Sequence, residues 1–196
     1  PGPALRDKGF EDYMLEGPVA ALDAIEKATG EKEVNAIGYC LGGTLLATTL
    51  SYLQKKKDER IKSATFLATL IDFKEPGEIG VFINDTAISA LEKQMNATGY
   101  FDGRAMAFSF NTLREKDLFW SFFINNYLKG ERPAAFDLLY WNSDSTNLPA
   151  AMHSYYLRNM YLHNKLQEKN GLELGGVKID LSAVKVPTYF LSTAQD

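Results

Sequence analysis

Cysteine occurs once in 196 residues and histidine twice. That excludes a disulfide framework and leaves too few soft ligands for a zinc or iron–sulfur centre, so no metal and no resident cofactor are expected. A membrane-spanning helix is also excluded, because no apolar run approaches the ~18 residues one needs. Basic charge is not in surplus: 21 Lys and Arg stand against 25 Asp and Glu, and the sequence pI is about 5.3. Without a clustered basic face, nucleic acid is not the expected partner. No charged-then-apolar leader precedes Phe10, and with a lone thiol the expected compartment is a reducing cytoplasm. What the chain does hold is 45% hydrophobic residues, enough for the core of one domain or of one domain with an insertion.

The single cysteine stands in Ile37-Gly38-Tyr39-Cys40-Leu41-Gly42-Gly43. Before it, Val34-Asn35-Ala36-Ile37 reads as a short buried strand. After it, Leu45, Leu46, Thr49, Leu50 and Leu53 recur at helical spacing, and Lys55-Lys56-Lys57 place cations at the negative pole of that helix. A Gly-x-nucleophile-x-Gly run between strand and helix is the pattern of a nucleophile elbow, where Cβ atoms two positions either side would collide. Gly38 and Gly42 occupy those positions. A thiol at a helix N-terminus gains thiolate character from the helix dipole, and the backbone N–H of Leu41 is placed to receive an oxyanion. The expected chemistry is acyl transfer. The second oxyanion donor comes from an early loop in such folds; nothing before residue 30 has that look, so the chain is expected to start after it.

Gly17-Pro18 predicts the start of a helix carrying Val19, Leu22 and Ile25 on one face, with Gly30 closing it. Ala64 through Ile71 and Val186 through Ser192 are two further apolar runs of strand length, the first suited to a parallel strand covered on both faces. The alternation predicts an α/β fold with its site at the carboxyl ends of the strands. Residues 73–165 differ in kind: they hold 17 of the 24 aromatic residues, which marks an inserted lid between core strands. The expected division is 1–72 as core with the elbow, 73–165 as lid, and 166–196 as the return to core. Phe119-Trp120-Ser121-Phe122-Phe123-Ile124 and Leu138-Leu139-Tyr140-Trp141 read either as the core of that insertion or as rings lining a dry passage or an interaction surface.

A thiol nucleophile needs a base and a carboxylate to orient it, in the chain order nucleophile, acid, histidine. Asp72 and Asp196 each follow a predicted strand. Asp196 is favoured, since Asp72 leads at once into the turn Phe73-Lys74-Glu75-Pro76-Gly77. His153 and His163 both precede Asp196 inside a helical aromatic stretch, so the histidine is expected beyond residue 196 and the 196 residues alone are expected to be inactive. Water as acceptor would instead make a Cys-dependent hydrolase, and a non-catalytic acyl-binding module is the reading from another class.

Several separate stretches resemble the polyhydroxyalkanoate synthases of class I type over nearly the whole length. They are Phe10-Glu11-Asp12-Tyr13-Met14, Gly38-Tyr39-Cys40-Leu41-Gly42-Gly43, Asp72-Phe73-Lys74-Glu75-Pro76-Gly77, Asn125-Asn126-Tyr127-Leu128-Lys129-Gly130, Leu138 through Asp144, and Tyr156-Leu157-Arg158-Asn159 followed by Tyr161-Leu162. Dienelactone hydrolases share the elbow but lack the long insertion. The resemblance implies an α/β-hydrolase fold with a lid that polymerises (R)-3-hydroxyacyl-CoA into polyester and releases coenzyme A. It implies Cys40 as acylated nucleophile and Asp196 as catalytic carboxylate. It also implies a cytoplasmic, granule-associated protein that meets the growing polyester chain, with a homodimer formed by the complete protein through an N-terminal domain outside this sequence.

Overall fold

The computed structural model describes residues 1–113, 119–133 and 144–193. Asp196 and the Leu138–Trp141 run lie outside the described residues. The chain forms two compact units, Lys8–Ser89 with Ala151–Asp196, and Pro1–Asp7 with Ala90–Ala150.

The first unit is built on a three-stranded parallel sheet in the order β1 (Val34–Tyr39), β2 (Ile61–Leu67), β7 (Thr188–Leu191). Parallel neighbours need long crossovers. Helix α3 (Leu41–Lys56) makes the first, and everything between Leu67 and Thr188 makes the second. Alternation along each strand decides what is covered: Val34, Ala36 and Gly38 turn to one face of β1, in register with Ala64 and Phe66. On that face Leu22, Leu46, Ala47, Leu50, Leu53, Ile61, Ala64 and Phe66 form the core. The opposite face stays open, with Ile37 72% and Tyr39 62% exposed beside Tyr189 and Leu191. On β2 itself the residues of that face, Ser63, Thr65 and Leu67, are half-buried, short of the full coverage expected from the sequence. Its limits also differ from 64–71, because Ala68 turns to φ 47° and leaves the ladder. The α/β fold itself is as expected.

Helix geometry corrects a second expectation. The helical path runs from residue 10 to 29 as α1 (Phe10–Met14), a π-helical turn (Leu15–Val19) and α2 (Ala20–Thr29). Pro18 lies inside the π turn and does not open the helix. A proline removes one N–H and crowds the preceding turn, and widening that turn accommodates it: Ala20 N–H reaches back to Leu15. The start is set instead by Phe10 and Met14, both fully buried, with Gly9 N–H donating to Asp12 Oδ2 at 2.7 Å. Gly30 closes the helix at φ 78°, as expected. An antiparallel hairpin pairs β5 (Leu172–Leu174) with β6 (Val177–Ile179) across Gly175 and Gly176, both at positive φ as a tight primed turn requires.

The second unit holds a short antiparallel pair, β3 (Tyr100–Phe101) with β4 (Leu148–Pro149), and helix α5 (Gly103–Leu113). Helix α4 (Asp85–Thr98) and helix α6 (Ala150–Tyr156) each run across the sequence boundary between units. In a π-helical stretch around Phe123–Leu128, Phe119, Trp120, Phe123 and Tyr127 stack on one another and all remain exposed, so these rings are not the core of their unit.

Candidate active site

Strand β1 ends at Tyr39 and α3 begins at Leu41, leaving one residue to make the turn. That residue is Cys40, at φ 50° and ψ −122°. Such a backbone is costly for any residue with a Cβ, on the order of 1–3 kcal/mol, and persists only where neighbours fix it. Here they do: Cys40 N–H donates to the Leu67 carbonyl at 2.9 Å, tying the turn to the end of β2, and the Cys40 carbonyl accepts from Gly43 N–H at 2.9 Å and Thr44 N–H at 3.3 Å. The side chain is left exposed at the carboxyl end of the sheet. Leu41 is the first residue of α3, so its N–H has no acceptor one turn back and points off the positive end of the helix. The Cys40 thiol and the Leu41 N–H thus share one helix terminus.

The glycine requirement is distributed differently from the Gly-x-Cys-x-Gly expectation. A Cβ on Gly38 would lie 2.5 Å from Gly43 Cα, so this glycine is needed. A Cβ on Gly42 would meet nothing within 4 Å. Gly42 sits on the open side of the first helical turn; the steric demand falls on Gly43, where a Cβ would lie 1.9 Å from Thr69 Oγ1. Gly38, Gly43 and Thr69 therefore interlock, holding the first turn of α3 against the ends of β1 and β2.

Asp72 is engaged elsewhere. Its carboxylate accepts from Asn164 Nδ2 at 2.7 Å, Gln167 Nε2 at 3.3 Å and Lys74 N–H at 3.0 Å, and the Asn164 hydrogen bond holds it below the usual carboxylate range. Asn164 in turn accepts from Phe73 N–H at 2.8 Å. The carboxylate serves as a latch between two loops. His153 is buried, and burial lowers its pKa to about 4; His163 is exposed. Among the described residues no group of three or more His, Cys, Asp or Glu could hold a metal ion, and no helix is long and apolar enough to cross a membrane.

Sequence reasoning missed the aromatic wall of the site. Tyr156 and Tyr161 stand edge to face at 5.3 Å, and Phe73 packs on both, at 5.9 and 4.8 Å. Burial raises the pKa of both phenols, and the charge of Cys40 raises them further. The signal lay in the π turn Leu157–Leu162: hydrogen bonds of i to i+5 type bring residues five apart onto one face, a spacing that neither helical nor strand periodicity picks out.

Comparison with known proteins bears on this geometry. The chain matches the family profile for the alpha/beta hydrolase fold over residues 2–196. It is 54% identical over 191 residues to a poly(3-hydroxyalkanoate) polymerase of Methylorubrum extorquens, covering 97% of this chain and 31% of that protein. It is 54% identical over 189 residues to a polymerase subunit of Rhizobium meliloti, covering 96% of this chain and 31% of the relative. A Cupriavidus necator polymerase subunit is 33% identical over 201 residues, covering 100% of this chain and 34% of the relative. The chain thus spans about a third of the length of the curated relatives it matches.

Proposed function

From the premise that this chain belongs to the alpha/beta hydrolase fold family, we propose that it carries the nucleophile of a poly(3-hydroxyalkanoate) polymerase acting on (R)-3-hydroxyacyl-CoA. The observation that carries the reading is Cys40 itself: an exposed thiol on a strained turn between β1 and α3, in a sequence similar to polymerases along its length. The Cys40 thiolate attacks the thioester carbonyl of the acyl-CoA, the oxyanion is received by Leu41 N–H, and the CoA thiolate leaves. One thioester replaces another, so the acyl group keeps its activation. A hydroxyl then attacks the Cys40 thioester, an oxygen ester forms and the cysteine is regenerated. Asp196 orients the histidine that relays these protons. No cofactor takes part, since CoA is a leaving group. The growing polyester and its granule surface are the partners, with a homodimer of the longer polypeptide in a cytoplasmic, granule-associated setting.

Hydrolysis competes because water is abundant, so polymer forms only if the site is kept dry; the aromatic residues of 73–165 act as the lid. The exposure of Cys40 to solvent favours a second reading, a Cys-dependent hydrolase. Product analysis separates the two. The chain is placed in the Methylorubrum extorquens polymerase in exchange for the matched segment and supplied with (R)-3-hydroxybutyryl-CoA. Insoluble polyester supports the polymerase; free hydroxy acid as the sole product supports the hydrolase.

A further inference from the structure

One peptide unit, Leu67–Ala68, closes the carboxyl end of the sheet. Its carbonyl accepts from Cys40 N–H at 2.9 Å on the β1 side, and its N–H donates to the Leu191 carbonyl at 2.9 Å on the β7 side. Beyond it the chain turns sharply at Ala68, φ 47°, a backbone costly for a residue with a Cβ. That turn folds the half-buried Thr69 back over the strand ends. Thr69 Oγ1 donates to the Leu67 carbonyl at 3.2 Å and to the Gly38 carbonyl at 3.5 Å, so its one proton is shared between the ends of β2 and β1. The same side chain fills the space that the absent Cβ of Gly43 leaves beside the first turn of α3.

Cys40 keeps its positive φ only while both sides of its turn are held. On the helix side the N–H groups of Gly43 and Thr44 hold its carbonyl; on the strand side its own N–H has the Leu67 carbonyl. Thr69 meets both sides, because its oxygen ties down that carbonyl and its body abuts Gly43. We propose that Thr69 is a positioning residue for the nucleophile, its hydroxyl clamping the carbonyls of Gly38 and Leu67 so that the Cys40 thiol stays at the N-terminus of α3. Loss of the hydroxyl frees the Leu67 carbonyl, and the elbow relaxes toward an ordinary φ that carries the sulfur off the positive end of the helix. The thiolate is then less favoured, and Leu41 N–H no longer meets the oxyanion squarely. The second consequence rests on Cys40 being the acylated nucleophile.

Two pairs of side chains separate the hydroxyl from the bulk around it. Thr69→Val keeps the shape and loses the proton, Thr69→Ser keeps the proton and loses the methyl, and Thr69→Ala loses both. Cys40 is the sole cysteine, so the pH profile of its alkylation by iodoacetamide reads the thiol in the chain itself. Below the inflection, Thr69→Val should react about three- to tenfold more slowly than the unaltered chain, the range expected for one hydrogen bond, with the inflection moved up. Thr69→Ser should stay close to the unaltered chain, and Thr69→Ala should lag Thr69→Ser by a similar factor. Should urea unfolding show that Thr69→Val does not fold, the comparison of Thr69→Ser with Thr69→Ala decides. Unaltered alkylation in folded Thr69→Val, or Thr69→Ser as slow as Thr69→Ala, overturns the positioning role. In the exchanged polymerase, Thr69→Val should lower kcat by about the same factor with KM unchanged, and Thr69→Ser should restore it; an unaltered kcat overturns the role in transfer. If the unaltered exchange protein releases no CoA, the polymerase reading fails while the alkylation result still decides the positioning.

Discussion

Replacing Gly42 and Gly43 one at a time by alanine should move stability in opposite directions, although the two are chain neighbours in the same helical turn. At Gly42 an added methyl meets open space, and alanine is the better helix former by about 1 kcal/mol, so stability should rise by up to that amount. At Gly43 the methyl would lie 1.9 Å from Thr69 Oγ1, 2.6 Å from its Cγ2 and 2.7 Å from its Cβ. Rotating Thr69 moves the first two atoms but not the third, so backbone must shift as well. Rotation also forfeits the hydrogen bond from Thr69 to the Leu67 carbonyl at 3.2 Å. Overpacking costs about 1–3 kcal/mol and the lost hydrogen bond about 1 kcal/mol, against a helix-propensity gain of about 1 kcal/mol. The net loss is about 1–3 kcal/mol, which puts the two variants about 2–4 kcal/mol apart. Urea unfolding of both variants measures this directly. Adding Thr69→Ala should recover part of the Gly43→Ala loss and almost nothing elsewhere. Equal stability of the two single variants would refute the interlock of Gly38, Gly43 and Thr69.

Cys40→Gly should raise the thermal midpoint, by about 1 kcal/mol in stability, because glycine adopts φ 50° without strain, while abolishing alkylation; a lower midpoint would mean that Cys40 carries no backbone strain. His153 is held near pKa 4 by burial against 6.5 when unfolded, so the unfolded state binds the extra proton between those values. Its contribution is therefore complete above about pH 6.5 and is lost as pH falls toward 4, up to about 3 kcal/mol. Stability measured across that window should lose this slope in His153→Gln, and an unchanged slope would assign it to other groups. Gly38→Ala meets backbone at 2.5 Å, which no rotamer relieves, so it should cost more than Gly43→Ala in the same urea assay and not be helped by Thr69→Ala; rescue by Thr69→Ala would contradict the assigned contact.

The elbow was legible because its cause is local: a hard-sphere clash at Gly38 leaves a mark in the sequence that needs no tertiary context. The same logic misassigned the downstream glycine, since what crowds Gly43 is Thr69, a residue brought there by the sheet. Pro18 misled for a similar reason; propensity places proline at a helix start, but burial of Phe10 and Met14 had already begun the helix about two turns earlier. The ends of β2 were misread because Lys62 and Ser63 hid its polar-facing beginning, and an alanine at positive φ hid its end. The hairpin around Gly175-Gly176 was available in the pattern of alternating Leu, Glu, Leu and Val, Lys, Ile. Tyr156 and Tyr161 were not, because only a π turn and a distant nucleophile give them meaning.

The most direct measurement is peptide mass mapping after the exchanged polymerase is incubated briefly with (R)-3-hydroxybutyryl-CoA. A hydroxybutyryl increment on the peptide containing Cys40, removable by hydroxylamine and lost in Cys40→Ala together with polymer, is the predicted result. Polymer formation that survives Cys40→Ala, or an acyl group found only on another residue, would contradict it.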